Sequence, residues 1–487
     1  MRQLNYRNLV AGTIAFVVIA GASLQVLILP LTPWHAGNGL FAGGDWVWFH
    51  QLAVALVGTM RQGGWSCWLP HIEGQAPASV AAALYYLTGI DHPIVLLPMH
   101  GVLYAMSAAT GLFIARALGV TGKTTWIALA PFYLFPSAAI IWGQIHKDIY
   151  TLPSTLLVLR FWIWLWSSSS RGQAPDSARV IIELLLLSLS MMLILFVRPY
   201  LGQVTVLASI FAASVCGASY FRERDKGERA WLLALTIACG LFVQASVVKF
   251  FYWSDATSET EERFSNAEQS SPKRTLGQWE HSTNLAFIEI RLKGIAEARN
   301  EYIRGYGNAG SNLDVDVRFF RLHDMLLYIP RASQIAILAP FPDQWLGDAK
   351  QPGGGIMRKV VMLEMLLFYA CIPGLLLALL MPRTRVFAVI TTGFMFVLAL
   401  SYAFAVVNMG TLYRMRYPAQ LAWMVVGIAG WQELARRWRD TILLNLHLRR
   451  MQHNVRRSAL ASHLSRKGEC IQKKDKGGVE PLINRPD

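Results

Sequence analysis

Acidic residues and cysteines are scarce in this chain of 487 residues, and several common enzyme motifs are missing. It has 30 Asp and Glu against 45 Lys and Arg, and only 5 cysteines. The cysteines are scattered without CxxC spacing, which argues against a disulfide framework and a zinc site. The histidines lack HExxH spacing, and there is no Walker loop, GxSxG elbow or dinucleotide fingerprint. These absences argue against metal-dependent hydrolysis and a nucleotide-driven pump.

The positive charge of the chain is unevenly placed. The formal net charge is +15, but the surplus lies mainly in the C-terminal segment 435–487, whereas the polar segment 254–355 has more acidic than basic residues. A basic tail is attracted to the anionic lipids of the cytoplasmic leaflet. We therefore predict contact with membrane lipid and no nucleic-acid partner.

Apolar stretches long enough to cross a membrane dominate the sequence. Hydrophobic residues make up 54% of the chain, and a helix needs about 20 mostly apolar residues to cross a bilayer. The alternating short segments of a membrane β-barrel are absent. The sequence predicts an all-α polytopic membrane protein of ten spans: 8–31, 93–118, 123–142, 147–167, 179–197, 200–220, 230–252, 358–381, 385–407 and 415–433.

The loops that carry most Lys and Arg all fall on one side of this ten-span arrangement. Cytoplasmic loops of membrane proteins are enriched in these residues, so both termini of this multi-pass protein are predicted to face the cytoplasm. The first apolar run continues well past a possible signal-peptide cleavage site at Ala20-Gly21-Ala22. We therefore expect an uncleaved first helix.

The same arrangement divides the chain into four parts. They are an N-terminal transmembrane module (1–252) with an external loop (32–92), a large external segment (253–356), a C-terminal transmembrane module (357–434) and a basic cytoplasmic tail (435–487). Trp-rich or apolar patterns at 45–56 and 79–87 predict external helices that lie along the membrane. The large external segment has helical patterns of its own at 285–304 and 317–328, with an interfacial or re-entrant stretch at 325–340.

Charged residues occur at four places on the predicted external side, where a charge near hydrocarbon costs a few kcal/mol and is a candidate for function. Asp45 follows two glycines and is either a helix N-cap or a carboxylate that deprotonates a hydroxyl or binds a divalent cation. Lys147 and Asp148 share a short turn and are either a mutually neutralising pair or a phosphate-binding cation beside a carboxylate.

The other two places carry arginine. Arg198 precedes Pro199 at the end of a predicted span, where it either extends to the interface or binds an anion. Arg414 and Arg416 lie at the outer end of a span, against the usual distribution of cations. Guanidinium groups bind phosphate in a bidentate manner, so this pair predicts an anionic lipid headgroup as ligand.

These residues resemble the GT-C membrane glycosyltransferases. Asp45 stands where that family has an acidic residue in the first external loop, ahead of an interfacial helix. The stretch from Pro136-Ser137 to Trp142-Gly143-Gln144 and Lys147-Asp148 resembles the second external loop of bacterial polysaccharide-cluster members. Segments 408–418 and 339–342 are similar to parts of uncharacterised relatives in exopolysaccharide and O-antigen loci. The chain has no second acidic residue next to Asp45 and no WWD-like motif.

The resemblance implies transfer of a sugar from a polyprenyl-phosphate-linked donor to a glycan or lipid acceptor at the external, periplasmic face. In that role Asp45 is the candidate base or ligand of a divalent cation, and Asp148 is the second candidate. The candidates for binding the donor phosphate are Lys147, Arg198, Arg414 and Arg416. The candidates for an aromatic acceptor groove are Trp279, Tyr302, Tyr306 and Trp345.

Two other functions fit the same pattern. A polysaccharide polymerase or ligase would use the same external arginines to join whole lipid-linked glycans. A flippase or transporter of lipid-linked glycan would need polar residues through the middle of its spans. The mid-span ionisable residues are few, chiefly Arg160, Glu183 and Glu364.

Overall fold

The computed structural model describes residues 5–170, 177–222, 229–256, 286–306, 310–346 and 354–475. These ranges are helical, with two isolated β-bridges, as expected where lipid leaves backbone groups to be satisfied within the chain. The α-helices are α1 (Tyr6–Ala22), α2 (Asp45–Gly63), α3 (Ala76–Thr88), α4 (Leu97–Ala117), α5 (Lys123–Leu134), α6 (Pro136–Gly143), α7 (Asp148–Ser170), α8 (Ser177–Val197), α9 (Pro199–Arg222), α10 (Arg229–Ala256), α11 (Ala286–Tyr306), α12 (Leu322–Leu338), α13 (Gly354–Leu380), α14 (Arg385–Ala405), α15 (Met409–Met415) and α16 (Tyr417–Asp475).

The described residues form an all-α polytopic membrane protein. Eight helices are long and apolar enough to cross a membrane, and a ninth span results if the bent pair α5 and α6 is counted as one. The nine spans correspond to the first nine predicted ones. The pair bends by 58° because Phe135 is extended and Pro136, which has no backbone N–H to donate, begins a new helix.

The tenth predicted span, 415–433, lies almost entirely in the first part of α16 and does not reach the hydropathy of the other nine. Its polar residues include Gln420, which is fully buried. Residues 417–430 are buried throughout, so this stretch is surrounded by protein and does not need a lipid-compatible surface.

Small residues allow α16 to approach α13 closely. A Cβ atom at Gly427 would lie 2.4 Å from the carbonyl oxygen of Cys371, and one at Gly430 would lie 1.8 Å from that of Gly374. Close approach of backbones at small residues is the usual basis of helix association in membranes. Elsewhere α1 packs on α4, α4 on α7, α7 on α8, and α9 on α14.

The helices predicted outside the spans are present with shifted ends. Helices α2 and α3 correspond to 45–56 and 79–87, and α11 corresponds to 285–304. The helix predicted from 317 begins only at Leu322, because the Asp324 carboxylate accepts hydrogen bonds from the backbone N–H groups of Phe320 and Arg321. It then continues through Pro330 to Leu338 and includes most of the stretch predicted to be re-entrant.

The described chain forms two compact units, Met1–Trp431 and Gln432–Asp487. The second unit consists of the basic end of α16, where Glu433 pairs with Arg436 at 2.7 Å and with Arg437 at 3.6 Å. The first unit carries every candidate site residue. The four-part division and the orientation in the membrane stay predictions.

Candidate functional site

The turn between α6 and α7, residues 144–147, is fastened to the first external loop. The Gln144 side chain donates to the carbonyl of Gly39 at 3.2 Å and accepts from the backbone N–H of Phe41 at 3.1 Å. Gln25, on a π-helical stretch that follows α1 (Ser23–Ile28), donates to the carbonyl of Gly143 at 2.7 Å. These bonds hold the turn beside the start of α2, where Asp45 is located.

Asp148 is the first residue of α7, and its carboxylate lies between two partners. Arg198 Nη2 lies 2.7 Å from Oδ1, and His146 Nδ1 lies 2.9 Å from Oδ2. The Asp148 side chain is only 2% exposed. A buried carboxylate is tolerated when it is paired, and these two partners account for the burial of Asp148.

His146 connects Asp148 to Arg414. Its Nε2 atom lies 2.8 Å from Arg414 Nη1. A guanidinium can only donate, so Nε2 accepts and the proton of the neutral ring is assigned to Nδ1, which lies 2.9 Å from Asp148 Oδ2. The other tautomer would let Nδ1 accept from the backbone N–H of Asp148, 3.0 Å away, but it would direct an Nε2–H at the guanidinium.

Burial lowers the pKa of His146. The nearby Asp148 carboxylate raises it, while Arg414 and Arg198 lower it further, and the net result is below the ordinary value. His146 is therefore neutral at neutral pH, which agrees with the tautomer inferred from its two contacts.

The Arg414 guanidinium, which contacts His146, also faces Asp45. Its Nη2 atom lies 3.6 Å from Asp45 Oδ2, and its guanidinium lies over the Trp46 ring at 5.9 Å. The Asp45 side chain is 53% exposed. Asp45 is the first residue of α2, whose N-cap is Gly44, so its carboxylate is not an N-cap and is accessible.

Lys147 is a second cation at the same turn. Its ammonium lies 5.8 Å from the centre of the Phe49 ring. Burial lowers the pKa of Lys147 to about 8, assisted by Arg198 and opposed by Asp45 and Asp148. Lys147 thus remains charged at neutral pH and is discharged under mildly alkaline conditions.

Arg198 lies in a tyrosine-rich environment. Burial lowers the pKa of Arg198, but the Asp148 carboxylate and the neighbouring Tyr200, Tyr402 and Tyr302 outweigh this effect, and the pKa is raised above its ordinary value. Tyr302, on α11, is the one predicted acceptor residue that the structure brings near the cluster.

We call the group formed by Asp45, His146, Lys147, Asp148, Arg198 and Arg414 the charged cluster. With His146 neutral, three cations face two carboxylates, which leaves one positive charge in excess. Because Asp148 engages Arg198 directly, the excess lies toward Asp45, Lys147 and Arg414. The cluster is therefore suited to bind an anion next to an accessible carboxylate.

Helix α15, which carries Arg414, is held by the loop before α12. Asn408 caps α15 by accepting from the backbone N–H of Thr411 at 3.1 Å. The backbone N–H of Leu313 donates to the carbonyl of Val407, and that of Met409 donates to Ser311, both at 2.9 Å. Residues Ser311 and Leu313 therefore help to fix the position of the helix that carries Arg414.

Arg416 is not part of the charged cluster. It is 1% exposed, and its guanidinium donates to the carbonyls of Ile335, Ala336 and Ala339 at the end of α12. These contacts cap the C-terminal end of a helix. The two arginines differ because they lie on opposite sides of the end of α15.

Trp345, another predicted acceptor residue, is not brought to the cluster either. Trp345 is buried, donates to the carbonyl of Pro340 at 2.9 Å and packs against Tyr369, so its ring is engaged in the protein interior. Trp279 and the side chain of Tyr306 lie outside the described residues.

Sequence reasoning missed His146, Gln144 and Trp46 as parts of the site. His146 and Gln144 lie in the same short turn as Lys147 and Asp148, and Trp46 follows Asp45. Their proximity in the sequence was the available signal. Among the described residues no group of three His, Cys, Asp or Glu is arranged to hold a metal ion, and a divalent cation at Asp45 stays a prediction.

An apolar groove runs along α8 up to Phe196, two residues before Arg198. Its volume is about 360 Å³, and its lining residues are Leu189, Met192, Leu193 and Phe196 on α8, with Val247, Phe250 and Phe251 on α10. His71, from the first external loop, lies against Phe196, with Nε2 at 2.8 Å from its carbonyl oxygen. One end of the groove therefore lies close to the charged cluster.

No protein-family model matches the chain, and no curated protein matches it. A solved structure with some similarity is the archaeal oligosaccharyltransferase AglB from Archaeoglobus fulgidus, in complex with an inhibitory peptide and a dolichol-phosphate. The match has 12% sequence identity and a TM-score of 0.44, and it covers 89% of this chain and 51% of AglB. The chain thus spans about half the length of that protein.

Proposed function

We propose that this protein is an integral membrane glycosyltransferase that transfers a sugar from a polyprenyl-phosphate-linked donor to a glycan or lipid acceptor at the external face. The observation that carries the proposal is the accessible Asp45 carboxylate beside the Arg414 guanidinium, 3.6 Å apart, in a cluster with an excess positive charge. The setting is cell-surface polysaccharide synthesis in a bacterial inner membrane.

Glycosyl transfer from such a donor breaks the bond between the sugar and a phosphate and forms a bond to an acceptor hydroxyl. Asp45 is the general base that removes the proton of this hydroxyl. Arg414 and Lys147 stabilise the negative charge that develops on the departing phosphate, usually the largest contribution to catalysis. Asp148 does not touch the reacting atoms, because its two oxygens face Arg198 and His146.

The apolar groove supports a ligand with a hydrocarbon tail. Its lining is apolar throughout, and on α8 it ends at Phe196, two residues before Arg198. Its volume is in the usual range for ligand sites, roughly 300–1,000 Å³. A polyprenyl chain in this groove would place its phosphate near Arg198 and Lys147.

The position of Tyr302 near Arg198 supports an acceptor site beside the charged cluster. Tyr302 lies close enough to Arg198 to contribute to the raised pKa of that guanidinium. It belongs to the segment that is predicted to be external. An aromatic face at this position can stack on a sugar ring, so Tyr302 is the acceptor residue that we retain from the four predicted ones.

A polymerase or ligase that joins whole lipid-linked glycans would use the same cluster and is the main alternative. The flippase alternative has less support, because the mid-span charges have fixed partners. Arg160 donates to Glu183 at 2.6 and 2.7 Å, and Glu364 accepts from the backbone N–H of Ser137 and from the hydroxyl of Tyr413. These residues tie helices together and do not line a path.

The proposal is tested by deleting the gene and analysing the surface glycans and lipid-linked intermediates by mass spectrometry. We expect glycans that lack one sugar, restored by the wild-type gene and by Asp91→Asn but not by Asp45→Asn. Asp91 is a suitable control because it is an external aspartate paired with the exposed Arg61 at 2.8 Å. All variants must be present in membranes at equal levels.

Complete but shortened glycan chains would favour the polymerase alternative. Unchanged glycans in the deletion strain, or full restoration by Asp45→Asn, would overturn the proposal.

A further inference from the structure

We infer that His146 is a positioning residue that holds the Arg414 guanidinium in the charged cluster through the tautomer protonated on Nδ1. This inference concerns the proposed active site and rests on the proposed function for the nature of the ligand. It adds a residue that the sequence did not single out, and it explains why a buried aspartate lies next to a reactive site.

The geometry forms a chain of three groups. Asp148 Oδ2 lies 2.9 Å from His146 Nδ1, and His146 Nε2 lies 2.8 Å from Arg414 Nη1. Arg198 engages the other oxygen of Asp148 at 2.7 Å. Oδ1 of Asp148 thus faces Arg198 directly, whereas Oδ2 is connected to Arg414 through the His146 imidazole.

The chain has a defined direction of hydrogen bonding. Arg414 donates to Nε2, which assigns the ring proton to Nδ1, 2.9 Å from the Asp148 carboxylate. An imidazole whose N–H is close to a carboxylate is a better acceptor at its second nitrogen. His146 is 3% exposed, and its ring lies beside that of Trp46, with centroids 5.9 Å apart. Burial and this contact prevent the ring from turning away.

Arg414 needs such a support because its other contacts are weak, and its guanidinium lies 5.9 Å from the centre of the Trp46 ring, near the limit for a cation–π interaction. Its distance to the exposed Asp45 is 3.6 Å, and exposed ion pairs contribute little to fixing a side chain. Without the imidazole acceptor, Arg414 would keep its charge but lose a fixed position. A mobile guanidinium is less often in the geometry that binds a phosphate, so it contributes less to binding and catalysis.

The first test is nitrogen NMR on the full-length protein labelled with ¹⁵N-histidine in nanodiscs, with His146 assigned by the signal missing in His146→Gln. We expect the pattern of a neutral ring protonated on Nδ1. In Asp148→Asn the amide oxygen can accept from Nδ1–H, and Arg414 still requires an acceptor at Nε2, so we expect the same tautomer. A wild-type ring protonated on Nε2, or a proton that moves to Nε2 in Asp148→Asn, would overturn the inference.

The second test uses two substitutions of His146 that replace different ring nitrogens. The glutamine oxygen of His146→Gln reaches the position of Nε2 and can still accept from Arg414, whereas the shorter side chain of His146→Asn reaches only the position of Nδ1. The probe is farnesyl methyl phosphate, a diester whose single charge is constant between pH 5 and 9. Its affinity is measured in nanodiscs by isothermal titration.

We expect binding to be about tenfold weaker in His146→Asn, a difference of about 1.4 kcal/mol, and within about twofold of wild type in His146→Gln. His92→Gln, at an external histidine outside the cluster, should bind as wild type does. Equal losses in the Asn and Gln variants, or no loss in either, would overturn the inference.

The two tests separate this inference from the proposed function. If the wild-type protein does not bind the probe, the proposed function loses its support, while the NMR result still decides the tautomer of His146.

Discussion

Arg198 Nη2 lies 2.7 Å from Asp148 Oδ1, with both side chains almost fully buried. The two residues come from different helical segments, α7 and the junction of α8 and α9. Because each charge compensates the other away from water, this pair fixes the distance between the groove on α8 and the turn that carries Lys147 and His146.

Removing one partner of this pair should destabilise the protein. Arg198→Ala leaves the Asp148 charge buried, so we expect a loss of about 3–5 kcal/mol in unfolding free energy, measured by chemical denaturation in detergent micelles. Arg61→Ala is the control, because Arg61 is half exposed in its pair with Asp91, and such pairs contribute about 0–1 kcal/mol. Similar losses in both variants would contradict the role of the buried pair.

Lys147 should make anion binding weaker at alkaline pH. Its pKa is lowered to about 8 by burial and by Arg198, so the ammonium loses its proton as the pH rises through 8, and the site loses a positive charge. We expect affinity for farnesyl methyl phosphate to fall between pH 7 and 9. In Lys147→Arg the charge persists to higher pH, and the fall should disappear. An unchanged fall in that variant would assign it to another group.

A bulky residue in the apolar groove should weaken the binding of ligands with a hydrocarbon tail and leave the binding of ligands without a tail unchanged. Leu193→Trp occupies part of the space between α8 and α10, so we expect at least about tenfold weaker binding of farnesyl methyl phosphate, or about 1.4 kcal/mol. Dimethyl phosphate, which has no tail, should bind as before. Leu185→Trp, at an exposed position of α8 outside the groove, is the matched control. Equal effects on both ligands would show that the tail does not lie there.

Arg414 and Arg416 should respond differently to the same change. Arg414→Gln removes a cation of the cluster, so we expect weaker binding of the phosphate diester with little change in stability. Arg416→Gln removes donors to the carbonyls at the end of α12, so we expect a lower thermal midpoint. The folded fraction of Arg416→Gln should bind the ligand normally. A binding loss in Arg416→Gln at full stability would restore its predicted role as a phosphate ligand.

Much of the fold could be predicted from local patterns. Nine of the ten predicted spans match helices or a bent pair that could cross a membrane, because spanning requires a continuous apolar run that can be counted in the sequence. The tenth segment differs because α16 is enclosed by protein, and enclosure depends on neighbours. The late start of α12 depends on one side-chain cap by Asp324.

The site was predictable to a smaller extent. Asp45, Lys147, Asp148, Arg198 and Arg414 were identified as unusual charges near the predicted membrane surface, and the structure brings them together. It separates Arg416 from them, because residues close in sequence can point in opposite directions around a helix end. Trp345 is separate because it packs against Tyr369. The functional roles of all these residues stay proposals.

The sequence by itself determined that the chain is an α-helical membrane protein. It also identified the few charged residues near the predicted membrane surface as candidates for function. Those conclusions follow from the cost of placing polar groups in hydrocarbon, which depends on residue type and run length alone. Only the tertiary structure decided that His146 joins Arg414 to Asp148 and that Arg416 caps α12. Hydrogen bonds between residues as far apart as 268 positions in the chain depend on how the helices pack, and no local pattern records that packing.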